Sequence, residues 1–301
     1  MRINNLNAMS EKQKNLIVRA ITGAFFVAAL VTCFLKPTSM VFLFTLITGM
    51  SIWEYTGLVN DNVENVSVNR FISTAAGVFL FLATSAFVSG MSTAEVFIPY
   101  LLTIIYLLVS ELYTGNPNPL ADWAYTMMGQ MYIALPFSTI NVLAFQNVDG
   151  YVEYQYLLPL SVFVFLWVND TGAYCSGSLF GKHKLFPRIS PAKSWEGSIG
   201  GGVFVIIAAA LVGYFSYIPA SYVDPMPLSS HIAKWIGLGV VVAVFGTWGD
   251  LVESLIKRTI GIKDSGNILP GHGGMLDRFD SSLLAIPASV IYLYALQYIM
   301  Q

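Results

Sequence analysis

Charge is scarce in this chain of 301 residues: Asp, Glu, Lys and Arg make up 11% of it, against roughly 25% in an ordinary soluble domain. With 55% hydrophobic residues and a mean hydropathy of +0.65, a water-soluble enzyme and a disordered chain are both excluded. An integral membrane protein is what remains. Cysteine is scarcer still: Cys33 and Cys175 are the only two, too few for a disulfide framework or a four-ligand zinc site. Neither sign of charge dominates, since 15 Lys and Arg face 17 Asp and Glu for a net of −2. That balance excludes a nucleic-acid binder relying on overall basicity. From Phe71 to Gly181 there is no Lys or Arg at all.

The basic residues that do occur are clustered: Arg2, Lys12, Lys14 and Arg19 at the start, a second group from Lys182 to Lys193, and a third from Lys257 to Arg278. Short loops rich in Lys and Arg stay cytoplasmic. The first apolar run lacks a small-residue cleavage pattern and is read as a retained span. Runs of about 20 apolar residues cross a bilayer as helix, and nine are counted near residues 16–35, 40–59, 71–89, 95–112, 122–145, 156–175, 198–218, 235–256 and 283–300. The expected fold is therefore all-α and polytopic, with about nine transmembrane helices and a cytoplasmic N-terminus. Loops 60–70, 113–121, 176–197 and 257–282 then share the cytoplasmic side, so the two large basic loops fall together. Lys36 and Lys234 fall opposite, where long side chains at helix ends snorkel. Trp53, Tyr55, Trp123 and Tyr125 near span ends read as interfacial anchors. Residues 1–150 are apolar spans with short turns, and residues 151–301 hold a catalytic region with cytoplasmic motif loops.

The polar residues of that second half stand out against the apolar background. The sixth span is apolar only to Val168 before Asn169-Asp170-Thr171-Gly172. Either the helix ends at Asn169 and Asp170 is solvated, or the membrane helix carries a carboxylate that must be paired or face a water-filled cavity. Next come Gly172 to Lys182 and Ser190-Pro191-Ala192-Lys193-Ser194-Trp195-Glu196-Gly197, in which glycines, hydroxyls and lysines suit phosphate contacts. The spacing is not that of a P-loop, because His183 follows Lys182 where Ser or Thr is required. Gly197 and Gly201 suit close helix packing. At 3.6 residues per turn, Asp250, Glu253, Ser254 and Lys257 share one helix face, which makes either a water-accessible polar face or a helical salt bridge to Lys257. In the last turn, His272 reads as an ordinary loop histidine and Asp280 as a helix N-cap. Asp277 and Arg278, opposite charges beside a Gly-rich turn at a membrane boundary, suit a metal–phosphate site.

Ser254, Lys257-Arg258, Lys263-Asp264, Gly266, Pro270, His272-Gly273-Gly274, Asp277-Arg278 and Asp280 together resemble, at every position, the C-terminal signature of the phosphatidate cytidylyltransferase (CDP-diglyceride synthase) family. The resemblance continues upstream through Asn169-Asp170-Thr171, Gly181-Lys182, Ser190 to Gly197 and Gly249-Asp250-Leu251, and before Asn169 fades to similar hydropathy. It implies that CTP and phosphatidic acid give CDP-diacylglycerol and pyrophosphate in phospholipid biosynthesis, with Mg2+ required and K+ as a further candidate. A phosphate monoester is anionic at neutral pH and attacks without a general base, so the need is charge neutralisation and in-line positioning. The implied roles place Mg2+ on Asp250 and Asp277. Lys193 and Ser194, with Ser190, take the CTP phosphates; Lys257, Arg258 and Arg278, with Lys263, neutralise headgroup or pyrophosphate. The resemblance further implies the inner membrane, an active site facing the cytoplasm, membrane lipid around it, no nucleic acid, and a homodimer. The competing readings are a CTP-dependent lipid or polyprenol kinase, built from similar parts, and a membrane transporter, which would favour repeated, interrupted spans.

Overall fold

The computed structural model describes residues 11–148, 150–217, 227–266 and 273–300, with side chains from Thr22 to Ile299 of these. Its helices are α1 (Glu11–Phe34), α2 (Pro37–Asn62), α3 (Arg70–Val88), α4 (Ile98–Thr114), α5 (Pro119–Gly129), α6 (Leu135–Ala144), α7 (Leu157–Phe180), α8 (Trp195–Ser216), α9 (Leu228–Thr259) and α10 (Leu276–Met300). Among the described residues, seven helical segments are long and apolar enough to cross a bilayer: α2, α3, α4 with the 3-10 turn Ala94–Phe97 ahead of it, α7, α8, α9 and α10. The chain is thus a polytopic, mainly helical membrane protein. Two of the nine expected spans do not meet that measure. The described apolar part of α1 is the short stretch Thr22–Phe34, and the fifth is broken into α5 and α6 by a π-helical turn, Gln130–Ala134.

Two departures from the expected helix ends reposition the polar residues. α7 does not stop at Asn169 but runs on to Phe180, so Asp170 projects from within a membrane helix. α10 begins at Leu276, so Asp280 lies in its second turn and is not its N-cap. The structure also contains two small hairpins where only loops were expected. Strands β1 (Phe145–Val148) and β2 (Tyr151–Tyr154) pair antiparallel, as do β3 (Lys184–Phe186) and β4 (Ser190–Ser194). Asp149-Gly150 is a hairpin dipeptide by composition, and Gly150 takes the left-handed φ of 86° while its N–H donates to Asn147 Oδ1 at 3.0 Å.

A bilayer supplies no hydrophobic force between helices, so they associate by close packing. Gly197 and Gly201 carry that role on α8: a Cβ on Gly201 would lie 2.7 Å from the Asn169 carbonyl oxygen, and one on Gly197 3.0 Å from that of Ala173. The backbones of α7 and α8 therefore touch, as the small-residue spacing predicts. At the centre, Phe279 meets Phe26, Phe44, Phe137 and Phe163 edge-on at centroid distances of 5.6 to 6.2 Å, a geometry that adds about 0.5–1.5 kcal/mol per pair beyond area burial. Five helices converge on that ring, which fixes the rotation of α10 and turns Asp277, Arg278 and Asp280 to its other sides. Tyr55, expected at the interface, is instead buried, while Trp53 is 43% exposed beneath the Arg70 guanidinium.

Candidate active site

The signature segments meet at one end of the bundle. β4 delivers Lys193, whose ammonium pairs with the Asp250 carboxylate of α9. The next residue, Ser194, is the N-cap of α8, its hydroxyl oxygen accepting from Gly197 N–H at 3.1 Å. Glu196, in the first turn of α8, accepts from the N–H groups of Lys182 and His183 and from the His183 ring. The Ser-Pro-x-Lys-Ser-x-Glu-Gly run is therefore a strand, a cap and a staple that aim Lys193 at α9. Ser190, at the start of β4, is half-buried.

Two adjoining cavities lie under this hairpin. One, of about 410 Å3, is lined by Asn169, Asp170, Lys193, Ser194, Ser198 and Thr247 among others. The second, of about 380 Å3, is lined by Asp170, Asp250, Asp277, Arg278 and Asp280, with Trp167 and Phe26 on its apolar side. Asp170 faces both. The helix does not end before Asp170: the side chain is exposed, sits within α7 and opens onto both cavities.

Asp250 also accepts from Ser254 Oγ at 3.2 Å, so the polar face of α9 is real. Further along it, Lys257 Nζ lies 2.5 Å from Glu253 and 2.7 Å from Asp277. The helical salt bridge and the polar face expected as alternatives thus coexist. Lys257 and Glu253 are 13% and 1% exposed; the ammonium is held between two carboxylates and stands back from the open cavity. Asp277 is similarly engaged, with Oδ2 accepting from Ser265 N–H at 2.8 Å and Gly274 N–H at 2.9 Å. A carboxylate offers about four lone-pair sites, and among the described residues three are taken on Asp277, which lines the second cavity. Arg278 and Arg258 are exposed, the latter donating to the Ile262 carbonyl at 3.0 Å, and Lys263 is exposed too. Lys263 and Arg258 line neither cavity. Pro270, Gly271 and His272 lie outside the described residues.

One site residue was not legible in the sequence. Glu54 of α2, 6% exposed, accepts from Met275 N–H at 2.8 Å and Leu276 N–H at 3.1 Å, and from the Ser265 hydroxyl. It caps α10 from across the bundle. An acidic residue deep in an otherwise apolar span is the only signal that could have pointed to it.

Among the described residues no three His, Cys, Asp or Glu side chains converge tightly enough to hold a metal ion unaided. What the arrangement offers is a carboxylate-rich pocket with cations at its edge, next to apolar walls, which can bind an anionic group only together with a compensating cation.

Known proteins extend the resemblance seen in the signature segments to nearly the whole chain. The sequence profile described as "Cytidylyltransferase family" matches residues 15–296. A phosphatidate cytidylyltransferase of Haemophilus influenzae is 32% identical over 92% of this chain and 99% of its own length. Proteins of the same name from Staphylococcus haemolyticus and Staphylococcus aureus are 34% and 32% identical, covering 76% and 90% of this chain and 81% and 96% of theirs. The kinship therefore includes the N-terminal helices, in which the motifs are silent. On a match of that extent, the chain belongs to the cytidylyltransferase family.

Proposed function

We propose that this membrane protein transfers the cytidylyl group of CTP to phosphatidic acid, releasing pyrophosphate and forming CDP-diacylglycerol. The observation that carries the reading is the convergence of Asp170, Asp250, Asp277, Arg278 and Asp280 on one cavity, with Lys193 paired to Asp250 at its margin. A phosphate oxygen of phosphatidate attacks the α-phosphorus of CTP. The bond from that phosphorus to the bridging oxygen breaks, and pyrophosphate leaves with the electron pair. No proton need be removed from the nucleophile, so the protein's tasks are alignment and neutralisation. Lys193 and Ser194, with Ser190, orient the triphosphate. Arg278, with Arg258 and Lys263 further out, draws the anionic headgroup and the departing pyrophosphate. The apolar wall of Trp167 and Phe26 faces the acyl chains, which stay in membrane lipid.

The donor set fits a hard divalent cation. Mg2+ is usually bound by one or two carboxylates together with substrate phosphates, and a pocket with no complete three-ligand group but several carboxylate oxygens matches that habit. Asp250 and Asp277 would hold it, and it would neutralise the triphosphate. K+ is the monovalent ion proposed alongside.

The same proposal places nine crossings in the inner membrane with the N-terminus and the active site on the cytoplasmic side. The Lys193–Asp250 pair and the Ser265–Glu54 bond bring both basic loops to one end, which supports that orientation. It also divides the chain into N-terminal transmembrane helices, 1–150, and a catalytic region, 151–301, in a homodimer and with no nucleic-acid partner. The deciding experiment supplies purified protein with phosphatidate and CTP labelled either in the cytidine or in the γ-phosphate, with and without Mg2+. Cytidine label is expected in lipid, only with the metal. Transfer of the γ-label alone would show a lipid kinase, and solute movement across vesicles without either product a transporter.

A further inference from the structure

Glu54 stands apart from every other charged group in the bundle. It belongs to α2 and carries none of the signature chemistry, yet its carboxylate is buried and its three donors come from residues more than 200 positions later. Met275 immediately precedes α10 and Leu276 opens it, while Ser265 lies ten positions before Met275 in the sequence. One carboxylate thus grips both ends of the segment that carries His272 and leads into Asp277. Its negative charge also sits at the positive end of α10.

The grip is passed on through Ser265. That hydroxyl donates to Glu54 and its oxygen accepts from Asp277 N–H at 3.3 Å, while Ser265 N–H donates to Asp277 Oδ2 at 2.8 Å. Asp277 in turn holds Lys257 at 2.7 Å. Gly274 allows the approach, because a Cβ there would run into both the Glu54 carboxylate and the Ser265 hydroxyl. Glycine is required at that position by its contact with Glu54 and Ser265.

We infer that Glu54 is a positioning residue for the transfer reaction, fixing through Ser265 where Asp277 and Arg278 meet the two substrates. The inference rests on the transferase reading above. It assigns the N-terminal helices a part in catalysis, since the anchor for Ser265 and the start of α10 lies in α2. Glu54 lines neither cavity, so it acts through Asp277 and not on substrate.

The test uses the full-length protein reconstituted with phosphatidate and cytidine-labelled CTP. Glu54→Gln keeps the shape but puts an N–H2 against N–H donors. It is expected to lower kcat of the folded fraction about 10- to 100-fold, the cost of a small misplacement near the reacting atoms, with KM for CTP within about twofold. Glu54→Asp should recover part of the loss. Ser265→Ala should lower kcat in the same way, and the double variant should be no slower than Glu54→Gln alone, since both break one relay. A purely structural role would lower the melting temperature and leave kcat per folded molecule intact. Amide exchange at Met275 and Leu276 should rise in Glu54→Gln, a readout that needs no turnover. Wild-type kcat in folded Glu54→Gln, losses that multiply in the double variant, or unchanged amide protection would each overturn the inference. If Glu54→Gln does not fold, Ser265→Ala carries the kinetic arm. Should the wild type itself form no CDP-lipid, the transferase reading fails and amide exchange still decides whether Glu54 holds the turn.

Discussion

Lys257 Nζ bridges Glu253 and Asp277, 2.5 and 2.7 Å away, joining α9 to the first turn of α10. Two carboxylates share one ammonium in a largely buried setting, so removing the cation leaves Asp277 with only its backbone N–H donors and Glu253 with no partner among the described residues. Loss of one partner from a buried ionic group costs about 3–5 kcal/mol. Lys257→Ala is therefore expected to lower the melting temperature in detergent as well as abolish CDP-lipid formation. The role that the resemblance implies, neutralising headgroup or pyrophosphate, concerns substrate alone. Lys257→Arg should restore most of the stability. A Lys257→Ala protein as stable as wild type would show that the triad is not what joins the two helices.

Asp277→Asn separates charge from shape at the same junction. The substituted amide keeps one acceptor, but its N–H2 must face either Lys257 or the N–H groups of Ser265 and Gly274. A buried donor left unsatisfied costs about 1–3 kcal/mol. Turnover should vanish, and the melting temperature should fall measurably. Full activity in the Asn variant would remove Asp277 from the mechanism.

The legible and illegible parts of the site differ for a physical reason. Lys193, Asp250, Lys257, Asp277 and Arg278 could be picked out because charge costs so much in an apolar chain that clustered charge marks chemistry. Asp170 was ambiguous because hydropathy records where apolar residues stop, not where a helix stops, and α7 continues to Phe180 by packing its glycine face on α8. Asp280 was misread as a cap for the same reason, since α10 starts before its apolar run. Glu54 was missed because two of its three donors are backbone N–H groups, which no sequence displays, and the third, Ser265, is 211 positions away. Phe279 likewise looks like any membrane phenylalanine until its ring is seen against Phe44, Phe137 and Phe163.

Asp170 is common to both cavities, which places it between the proposed nucleotide and lipid portions of the site. Asp170→Asn is expected to reduce kcat/KM for CTP at least about tenfold, a loss of roughly 1.4 kcal/mol in transition-state stabilisation, while the thermal midpoint holds, because the side chain makes no hydrogen bond among the described residues. Steady-state kinetics across CTP concentrations checks this, and an unaltered kcat/KM would mean that the carboxylate only faces water.

Lys193 and Ser194 are neighbours with separable tasks. Ser194 accepts from Gly197 N–H as the cap of α8, and its own hydroxyl hydrogen is free to be donated, since a hydroxyl has one donor and two acceptor sites. Ser194→Ala should therefore cost about 1 kcal/mol of stability from the lost cap and also raise KM for CTP. Lys193 and Asp250 pair with their side chains 25% and 28% exposed, so water still reaches the pair and screens it. Lys193→Gln should leave the melting temperature almost unchanged while raising KM for CTP about tenfold or more, the order expected when a charge-assisted phosphate contact is lost. The two variants together distinguish a cation that reads the nucleotide from a hydroxyl that also holds the helix. If both shifted stability and neither shifted KM, the hairpin would be a structural brace, and the triphosphate would have to bind elsewhere.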